Sequence, residues 1–383
     1  MKPLARIAVV TTYYRPVLGG AESAAERVAM FLQRRGHEVT VFTKLTSAAH
    51  APEETVGGVR VRRLPPVGPR TPGGKWRFAP SVFRVLREER QAIDVVCCVD
   101  YRGIGLAALA ARVLTHAPVL FYAQTEGVLS GSVLRRMGSL LYRRTNALAC
   151  ISRAIEREAL SAGVPAERVH YVPNPVDTER FSPATPDERR RIRALLQVGD
   201  DEVLAVFVGR LSREKGAVEL ATAWATVEPR ATVAFIGPPM TGHDWDVSGN
   251  VTRIARESRI TSSFRLVGGL PPDEVAAWLK AADFGVQPSH FEAMGLAAAE
   301  EMAAGLPVIV TDTGGYRDFV VHGENGLLVP PKDIRALGDA ITRLVQDSAL
   351  RARLASRARE TGAQFDEARV LGRFAEILDR LTR

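Results

Sequence analysis

Short apolar, β-branched runs alternate with segments of helical periodicity along most of this sequence. In the N-terminal half, ARIAVVTTYY (5–14) is followed by the helix-like ESAAERVAMFLQRRG (22–36) and then by HEVTVFTK (37–44). DVVCCVDY (94–101) and PVLFYAQT (118–125) are also continuous apolar runs, which are typical of strands buried on both faces of a sheet. Such strands, joined by helix-length connections, predict a parallel sheet.

The same alternation begins again after residue 200. The predicted strands of this half are VLAVFVGR (203–210), TVAFIG (232–237), SFRLVGG (263–269), DFGVQP (283–288) and PVIVTD (307–312). With 383 residues, the chain also exceeds the roughly 250–300 residues at which one hydrophobic core stops growing. The fold class predicted is therefore α/β, with two doubly wound, Rossmann-like parallel-sheet domains facing a cleft.

Changes in composition place the expected domain boundaries. We expect an N-terminal domain over 1–175, a charged, Pro-containing linker over 176–200 and a C-terminal domain over 201–365. A helix over about 366–383 is expected to pack back on the first domain. The Pro- and Gly-rich basic stretch 51–80 is interpreted as a loop.

Charge is distributed unevenly between the halves. Residues 1–175 contain 25 Lys and Arg against 13 Asp and Glu, whereas the remaining residues contain 26 against 30. A basic half can attract nucleic acid, an anionic membrane surface or an acidic substrate, and the field alone does not choose among them. An arginine-rich composition with solvated faces is the alternative. Aromatic residues are not interleaved with the basic runs, so we expect no nucleic acid. The basic, amphipathic segment 131–146 leaves a peripheral contact with an anionic membrane open.

Other features bound the class of protein. No stretch approaches the roughly 18 apolar residues of a membrane span, and the N-terminal residues read directly into a strand, so a cytoplasmic location is expected. Cys97, Cys98 and Cys150 lie in apolar runs without the spacing of a zinc site, and we interpret them as buried thiols.

The segment 288–315 carries the strongest indication of chemistry. A strand ends at Pro288, a short loop follows, and a helix is predicted to open near Gly295, where unpaired backbone amides and the helix dipole favour a phosphate. Glu292 and Glu300 are eight residues apart, about 2.2 helical turns, so both carboxylates can line one side of the site. Glu301 is expected to point elsewhere.

Two further loops follow predicted strands. GRLSREKG (209–216) places Arg210 and Lys215 where two cations can neutralise a diphosphate leaving group, although a solvated basic loop is the alternative. Gly19 and Gly20 let the backbone approach a ligand closely before a helix, although a plain tight turn is also compatible. The G-x-G-x-x-G fingerprint of dinucleotide-binding enzymes is missing here.

Together these motifs resemble the retaining GT-B glycosyltransferases of family 4, the glycosyl transferases group 1. That family shares an E-x7-E motif and a G-R-L-x-x-E-K-G motif, matched here at Glu292 to Glu300 and at 209–216. VPNPVDTERFSP (172–183) is similar to its interdomain segment, with Pro175 where Gly is usual, and ENGLLVPPKD (324–333) is similar to a third motif. The resemblance covers both domains and implies the GT-B fold.

The resemblance implies a role for each site residue. Arg210 and Lys215 would bind the donor diphosphate, Glu300 the ribose and Glu292 the sugar hydroxyls. The donor base would lie against the backbone near Val267 and Gly268. Backbone amides of the loop and helix start would hold phosphate and sugar, and those of the first domain would close over the donor; these residues are Ala293, Met294, Gly295, Leu296, Gly19 and Gly20.

The sequence departs from the family at one strand end. Many members carry a histidine where PVLFYAQTEG has Gln124, Thr125 and Glu126, which puts a histidine-assisted step in doubt. We expect Gln124 or Glu126 to lie near the acceptor, with a solvent-facing strand-end turn as the alternative. His290 is interpreted as a loop residue and the D-x-D pattern at 244–246 as a chance match. No metal or other cofactor is therefore expected.

The sequence thus predicts a retaining, metal-independent glycosyltransferase that uses a UDP- or GDP-linked sugar and a hydroxyl acceptor. A nucleotide-sugar epimerase of related fold, a sugar phosphorylase and a non-catalytic polyanion-binding protein remain as alternatives. The nucleotide, the sugar, the acceptor and the oligomeric state are not readable from the sequence.

Overall fold

In a computed structural model, the chain forms two compact units. The first comprises Met1–Pro175 with Ala368–Arg383, and the second comprises Val176–Glu367. The residues that the structure describes are 5–17, 19–68, 74–99, 104–127, 143–227, 231–239, 246–258 and 263–382.

The first unit is built on a mainly parallel sheet. Its strands are β1 (Arg6–Thr11), β2 (Glu38–Lys44), β3 (Glu53–Val56), β4 (Val59–Leu64), β5 (Val95–Val99), β6 (Val119–Ala123), β7 (Ala147–Cys150) and β8 (Val169–Tyr171). They lie in the order β3-β4-β2-β1-β5-β6-β7-β8, and only the pairing of β3 with β4 is antiparallel among these strands. The central strands are buried along their whole length, as continuous apolar runs require.

Helices flank this sheet. They are α1 (Gly20–Arg34), α2 (Gly74–Glu88), α3 (Ile104–Thr115) and α4 (Arg153–Ser161), and the C-terminal helix (Glu367–Leu381) belongs to the same unit for most of its length. Phe374 of the C-terminal helix is fully buried, and its ring centroid lies 5.2 Å from that of Tyr122 in β6. Aromatic packing therefore anchors the end of the chain to the first sheet.

The interpretation of 51–80 as a loop is wrong for much of that stretch. Strands β3 and β4 form a hairpin there, joined by Gly57 and Gly58, both with positive φ. Two such residues form the tight turn that suits the twist of a hairpin. Arginines occupy half of β4 and obscured its alternation, and Arg63 is in fact buried and bonded to Glu54 at 2.5 Å.

The second unit is built on a parallel sheet. Its strands are β9 (Val203–Val208), β10 (Ala231–Ile236), β11 (Phe264–Gly268), β12 (Phe284–Gln287), β13 (Val308–Thr311) and β14 (Gly326–Val329). They lie in the order β11-β10-β9-β12-β13-β14. The chain leaves β9 toward β10 and β11 and later returns on the other side with β12, so the topological switch point lies between β9 and β12.

Helices also cover this second sheet. They are α5 (Pro186–Leu195), α6 (Ala217–Trp224), α7 (Ser248–Glu257), α8 (Pro272–Ala281), α9 (Leu296–Ala303), α10 (Ile334–Gln346) and α11 (Ser348–Gly362). The core between sheet and helices includes Phe207, Phe235, Trp224 and Ile341, each no more than 1% exposed. Among the described residues, no helix is long and apolar enough to cross a membrane.

Residues 176–200, expected to form a linker, lie within the second unit and contain α5. Charges in this segment bind α8 and its C-terminal end instead of facing only solvent. Arg193 is 3% exposed and donates to the Ala281 carbonyl at 2.8 Å, and Glu188 accepts from Lys280 at 2.7 Å. Partners distant in sequence thus turn a charged, Pro-containing stretch into a packed helix.

Candidate active site

The loop 288–295 joins β12 to α9 at the carboxyl edge of the second sheet. Gly295 precedes the helix with a φ of 97°, a left-handed conformation that favours glycine. A Cβ at this position would also collide with the ring of Tyr316. The helix therefore opens at the predicted point, and the glycine is required both by the backbone and by its neighbour.

The end of β13 and the residues that follow it pack against this loop. The hydroxyl of Thr311 donates to the Ser289 carbonyl at 2.5 Å, and the Gly315 amide donates to the Glu292 carbonyl at 2.9 Å. A Cβ on Gly314 would strike that same Glu292 carbonyl oxygen. Close backbone packing thus holds Glu292 in place.

The loop 209–216 approaches 288–295 across the switch point. Lys215 ends a 3₁₀ turn after β9, and its Nζ forms an ion pair with Glu292 Oε2. Both side chains are mostly sheltered, with 26% of Lys215 and 16% of Glu292 exposed. The structure therefore brings together two residues that are 77 positions apart and that the sequence assigns to the same site.

Two more contacts fix the loops to each other. The His290 amide donates to the Glu214 carbonyl at 2.8 Å, and His290 Nε2 lies 2.7 Å from Glu219 Oε1 in α6. Gly216 has a φ of 71°, and a Cβ there would collide with the Pro288 carbonyl. His290 is therefore engaged in holding the loop, as its interpretation as a loop residue predicts.

The paired acidic residues of α9 have different surroundings. Glu300 is partly exposed, whereas Glu301 is completely buried. The prediction that Glu301 points away from the site is confirmed. Burial raises the pKa of Glu301 well above its usual range, because desolvation disfavours the carboxylate.

The remaining predicted donor residues lie at the same edge of the sheet. Arg210 follows β9 and is partly exposed, and Val267 and Gly268 end the edge strand β11. The guanidinium of the neighbouring Arg265 donates to the carbonyls of Leu196 and Gln197, so its side chain caps the end of α5. Because all strands of this sheet are parallel, their carboxyl ends present these residues along one edge.

Four predicted site residues belong to the first unit. Gly19 and Gly20 begin α1, and a Cβ on Gly20 would meet nothing within 4 Å, so the backbone there is sterically open. Gln124 directly follows β6 with 8% of its surface exposed, and its Oε1 accepts a hydrogen bond from Asn174 Nδ2 at 2.9 Å. Glu126 lies two residues further on and is partly exposed. The acceptor-side roles of Gln124 and Glu126 stay predictions.

Sequence reasoning missed the groups that support the loop. Tyr316 is 1% exposed and its hydroxyl lies 3.4 Å from that of Ser289, and burial raises its pKa well above the usual range. The glycine pair at 314–315, shortly after the end of β13, was the available signal, because two adjacent glycines near a strand end indicate close backbone packing. The partnership of His290 with Glu219 had no local signal.

Two sequence predictions concern residues that the structure describes only in part. No group of three or more His, Cys, Asp or Glu residues that could hold a metal ion occurs in the described part of the chain. Most of the D-x-D pattern at 244–246 and most of the basic segment 131–146 lie outside the described residues. Cys97, Cys98 and Cys150 are buried free thiols, as predicted, and burial raises their pKa.

Comparison with known proteins covers nearly the whole chain. A family model described as "Glycosyl transferases group 1" matches residues 188–361, and one described as "Glycosyltransferase Family 4" matches residues 18–180. The D-inositol 3-phosphate glycosyltransferase of Xylanimonas cellulosilytica is 28% identical, over 95% of this chain and 94% of that protein. The glycogen synthase of Mycobacterium tuberculosis is 28% identical, over 93% of this chain and 89% of that protein.

Solved structures show the same fold. Sucrose-phosphate synthase from Thermosynechococcus elongatus superimposes with a TM-score of 0.85 at 24% identity, covering 98% of each chain. Anabaena HepE, in complex with UDP and glucose, superimposes with a TM-score of 0.79 at 22% identity, covering 98% of this chain and 99% of that one. The predicted architecture of two Rossmann-like domains, GT-B, is thereby confirmed.

Proposed function

The chain belongs to the glycosyl transferases group 1, with a first half of the Glycosyltransferase Family 4 type, and we propose that it transfers a sugar from a UDP- or GDP-linked donor to a hydroxyl acceptor with retention of anomeric configuration. The observation that carries this proposal is the pairing of Lys215 with Glu292 beside the start of α9, at the switch point of the second sheet. Open α/β sheets bind their ligands at this position.

The site has the charges that a sugar diphosphate requires. The first amides of a helix have no intrahelical acceptor, and together with the helix dipole they favour a phosphate at the start of α9. Lys215 and Arg210 add two cations on the loop opposite. When a diphosphate enters, Lys215 shares its ammonium between the phosphate oxygens and Glu292, whose carboxylate then also accepts hydrogen bonds from the sugar hydroxyls.

Departure of the diphosphate is the step that these cations assist. The bond between the anomeric carbon and the phosphate oxygen breaks, and negative charge develops on the leaving oxygen. Lys215, Arg210 and the amides of α9 stabilise that charge, which is the form of catalysis that contributes most in such reactions. The expected independence from metal ions rests on the same two cations.

Retention follows if the acceptor attacks on the face from which the diphosphate departs. The acceptor oxygen forms the new bond to the anomeric carbon, and its proton passes to the leaving phosphate oxygen, so atoms and charges balance without a protein base. Gln124 replaces the histidine of many relatives, and an amide can hydrogen-bond a sugar hydroxyl without taking a proton. A neutral residue at this position is compatible with the mechanism.

Product analysis with a panel of nucleotide sugars tests the proposal. Thermal unfolding with UDP, GDP and ADP first identifies the nucleotide, because a ligand at 100 times its dissociation constant stabilises the fold by about 2.7 kcal/mol. The matching donor is then incubated with candidate acceptors, including D-inositol 3-phosphate, on which the Xylanimonas relative is named as acting. We expect a glycoside by mass spectrometry and the donor's anomeric configuration by NMR.

Incubation of donor alone is the control. Isomerised donor or a strict requirement for inorganic phosphate would instead indicate an epimerase or a phosphorylase. An inverted product, or no stabilisation by any nucleoside diphosphate, would contradict the proposal.

A further inference from the structure

A buried acidic side chain lies directly beneath the candidate donor site. Glu301 follows Glu300 on α9, is completely buried, and accepts a hydrogen bond from Gln287 Nε2 at its Oε1, at 2.6 Å. Its other oxygen, Oε2, is also buried and has no hydrogen-bond partner among the described residues. Burying a carboxyl group in this way is costly, so a purely incidental presence is a poor explanation.

The strand under α9 is shaped around this carboxyl group. Gly285 pairs with β9 on one side and β13 on the other, a central position where glycine weakens a strand. A Cβ on Gly285 would collide with the Glu301 carboxyl group. The missing side chain at 285 therefore makes the space that Glu301 fills, and Gly285, Gln287 and Glu301 form one packing unit, here called the buried triad.

The apolar side chains that α9 buries are mostly small. The helix is only eight residues long, and its buried face consists of Ala298, Ala299, Met302 and Ala303 besides Glu301. Alanine side chains are short and interdigitate little with the residues opposite, so they restrain rotation of the helix about its axis only weakly. The hydrogen bond between Glu301 and Gln287 is a directional polar contact between α9 and the end of β12.

This bond also connects the strand before the loop 288–295 to the helix after it. Gln287 is the last residue of β12 and directly precedes the loop 288–295, whereas Glu301 lies one helical turn and a half into α9. A shift of α9 against β12 would move the loop that carries Glu292, the amides at the helix start and Glu300 at the same time. The buried triad and the donor site are therefore mechanically coupled.

We propose that Glu301 is a positioning residue, which through Gln287 and against Gly285 sets the height and rotation of α9 and thereby the placement of Glu292 and Glu300 for the donor. The predicted effect on donor binding rests on the proposed function, whereas the predicted effect on the placement of α9 does not. Burial disfavours the charged form of Glu301 and raises its pKa, which also disfavours a second negative charge next to Glu300.

Three variants separate hydrogen bonding from packing. Glu301→Gln keeps an oxygen for Gln287 and is expected to match the wild type in the exchange of 288–303 and in donor kinetics. Glu301→Leu fills the space but removes the bond. The double variant Gly285→Ala with Glu301→Ala places a methyl group in the space that the Glu301 carboxyl group occupies and also removes the bond. It is used in place of Glu301→Leu if that protein does not fold.

Hydrogen–deuterium exchange tests the structural part independently of activity. Peptides spanning 288–303 should exchange at least tenfold faster in Glu301→Leu or the double variant than in Glu301→Gln or the wild type. Ile341→Val is the control, because it trims a buried residue of α10 away from the site. Unchanged exchange over 288–303 in a folded variant lacking the bond would overturn the inference, whatever the enzyme's substrate proves to be.

Kinetics then test the functional consequence. Without the bond, the affinity for the nucleoside diphosphate and kcat/KM for the donor should each fall about 10- to 100-fold, while KM for the acceptor stays within twofold, and Glu301→Gln should restore both. A loss of the same size in Ile341→Val, or equal losses for donor and acceptor, would assign Glu301 a general stabilising role instead. If the wild type itself bound no nucleotide, the proposed function would fail, while the exchange result would still decide the placement of α9.

Discussion

Replacement of Lys215 by Met tests the catalytic role of the ion pair in the second unit. Met has nearly the same shape as Lys but no charge, so the variant loses the ammonium group and keeps most of the packing. Removing one donor to a developing negative charge typically costs about 2.7–4 kcal/mol, which corresponds to roughly a 100- to 1000-fold loss in turnover. We therefore expect a loss of at least roughly 100-fold in kcat for Lys215→Met.

The same change also affects stability, because Glu292 loses its partner. With 16% of the Glu292 side chain exposed, the carboxylate regains part of its hydration, and the cost is about 1–3 kcal/mol. For a unit of this size that corresponds to a fall in Tm of roughly 2–12 °C. Calorimetry or thermal fluorescence measures this fall separately from activity.

The assay is initial-rate product formation at saturating donor, with nucleoside diphosphate affinity measured by calorimetry. Arg213→Met is the matched control, since Arg213 lies in the same 3₁₀ turn and carries the same charge but is exposed and makes no ion pair among the described residues. We expect less than a threefold effect there. Equal losses in both variants would refute a specific role for Lys215 and leave only a general effect of positive charge, and full activity of Lys215→Met would refute the role altogether.

Three other predictions follow from particular contacts. Gly295→Ala should lower the Tm by several degrees and weaken nucleotide binding, because its left-handed φ and the Tyr316 ring both exclude a Cβ; thermal unfolding with and without nucleotide measures both. Glu301→Gln should become increasingly more stable than the wild type as pH rises from about 4.5 toward the raised folded-state pKa of Glu301, by up to about 1.4 kcal/mol per pH unit. The reason is that the folded wild type retains a proton that the unfolded chain has lost. Urea unfolding at pH 5 and pH 8 measures the difference in stability, and the same difference at both pH values would contradict the prediction. Gln124→Ala should raise the acceptor KM about fivefold and leave nucleotide affinity unchanged, since one neutral hydrogen bond contributes about 1 kcal/mol. An unchanged acceptor KM would argue against its acceptor role.

Local patterns predicted the elements that depend on local chemistry. Buried parallel strands such as β5 and β12 read as apolar runs, and the start of α9 was readable from a glycine after a strand and a short loop. The E-x7-E and G-R-L-x-x-E-K-G spacings also located the residues that the fold brings together, because both lie immediately after strands that meet at the switch point.

Elements whose stability comes from distant partners escaped prediction. The hairpin of β3 and β4 carries many charges, and the buried Arg63 donates hydrogen bonds to the distant Arg15 carbonyl as well as to Glu54 and the Ala51 carbonyl. Helix α5 likewise depends on Arg189, which donates to Asp283 at 2.9 Å. Such pairings join residues separated widely in the chain, so no local pattern contains them.

The site shows the same limit. The sequence predicted that Lys215 and Glu292 lie in the same site, but the ion pair between them is a property of the folded loops. For Glu301, the sequence predicted only that the side chain points away from the side of the helix that Glu300 occupies. Its bond to Gln287 and its fit over Gly285 depend on how α9 packs on β12.

A crystal structure of the protein with bound UDP or GDP tests the central claim most directly. We expect the diphosphate at the start of α9, with Lys215 Nζ, the Arg210 guanidinium and backbone amides of the helix start within hydrogen-bonding distance of its oxygens. A nucleotide bound at another place, or a diphosphate that leaves Lys215 bonded to Glu292 alone and Arg210 directed into solvent, would contradict it.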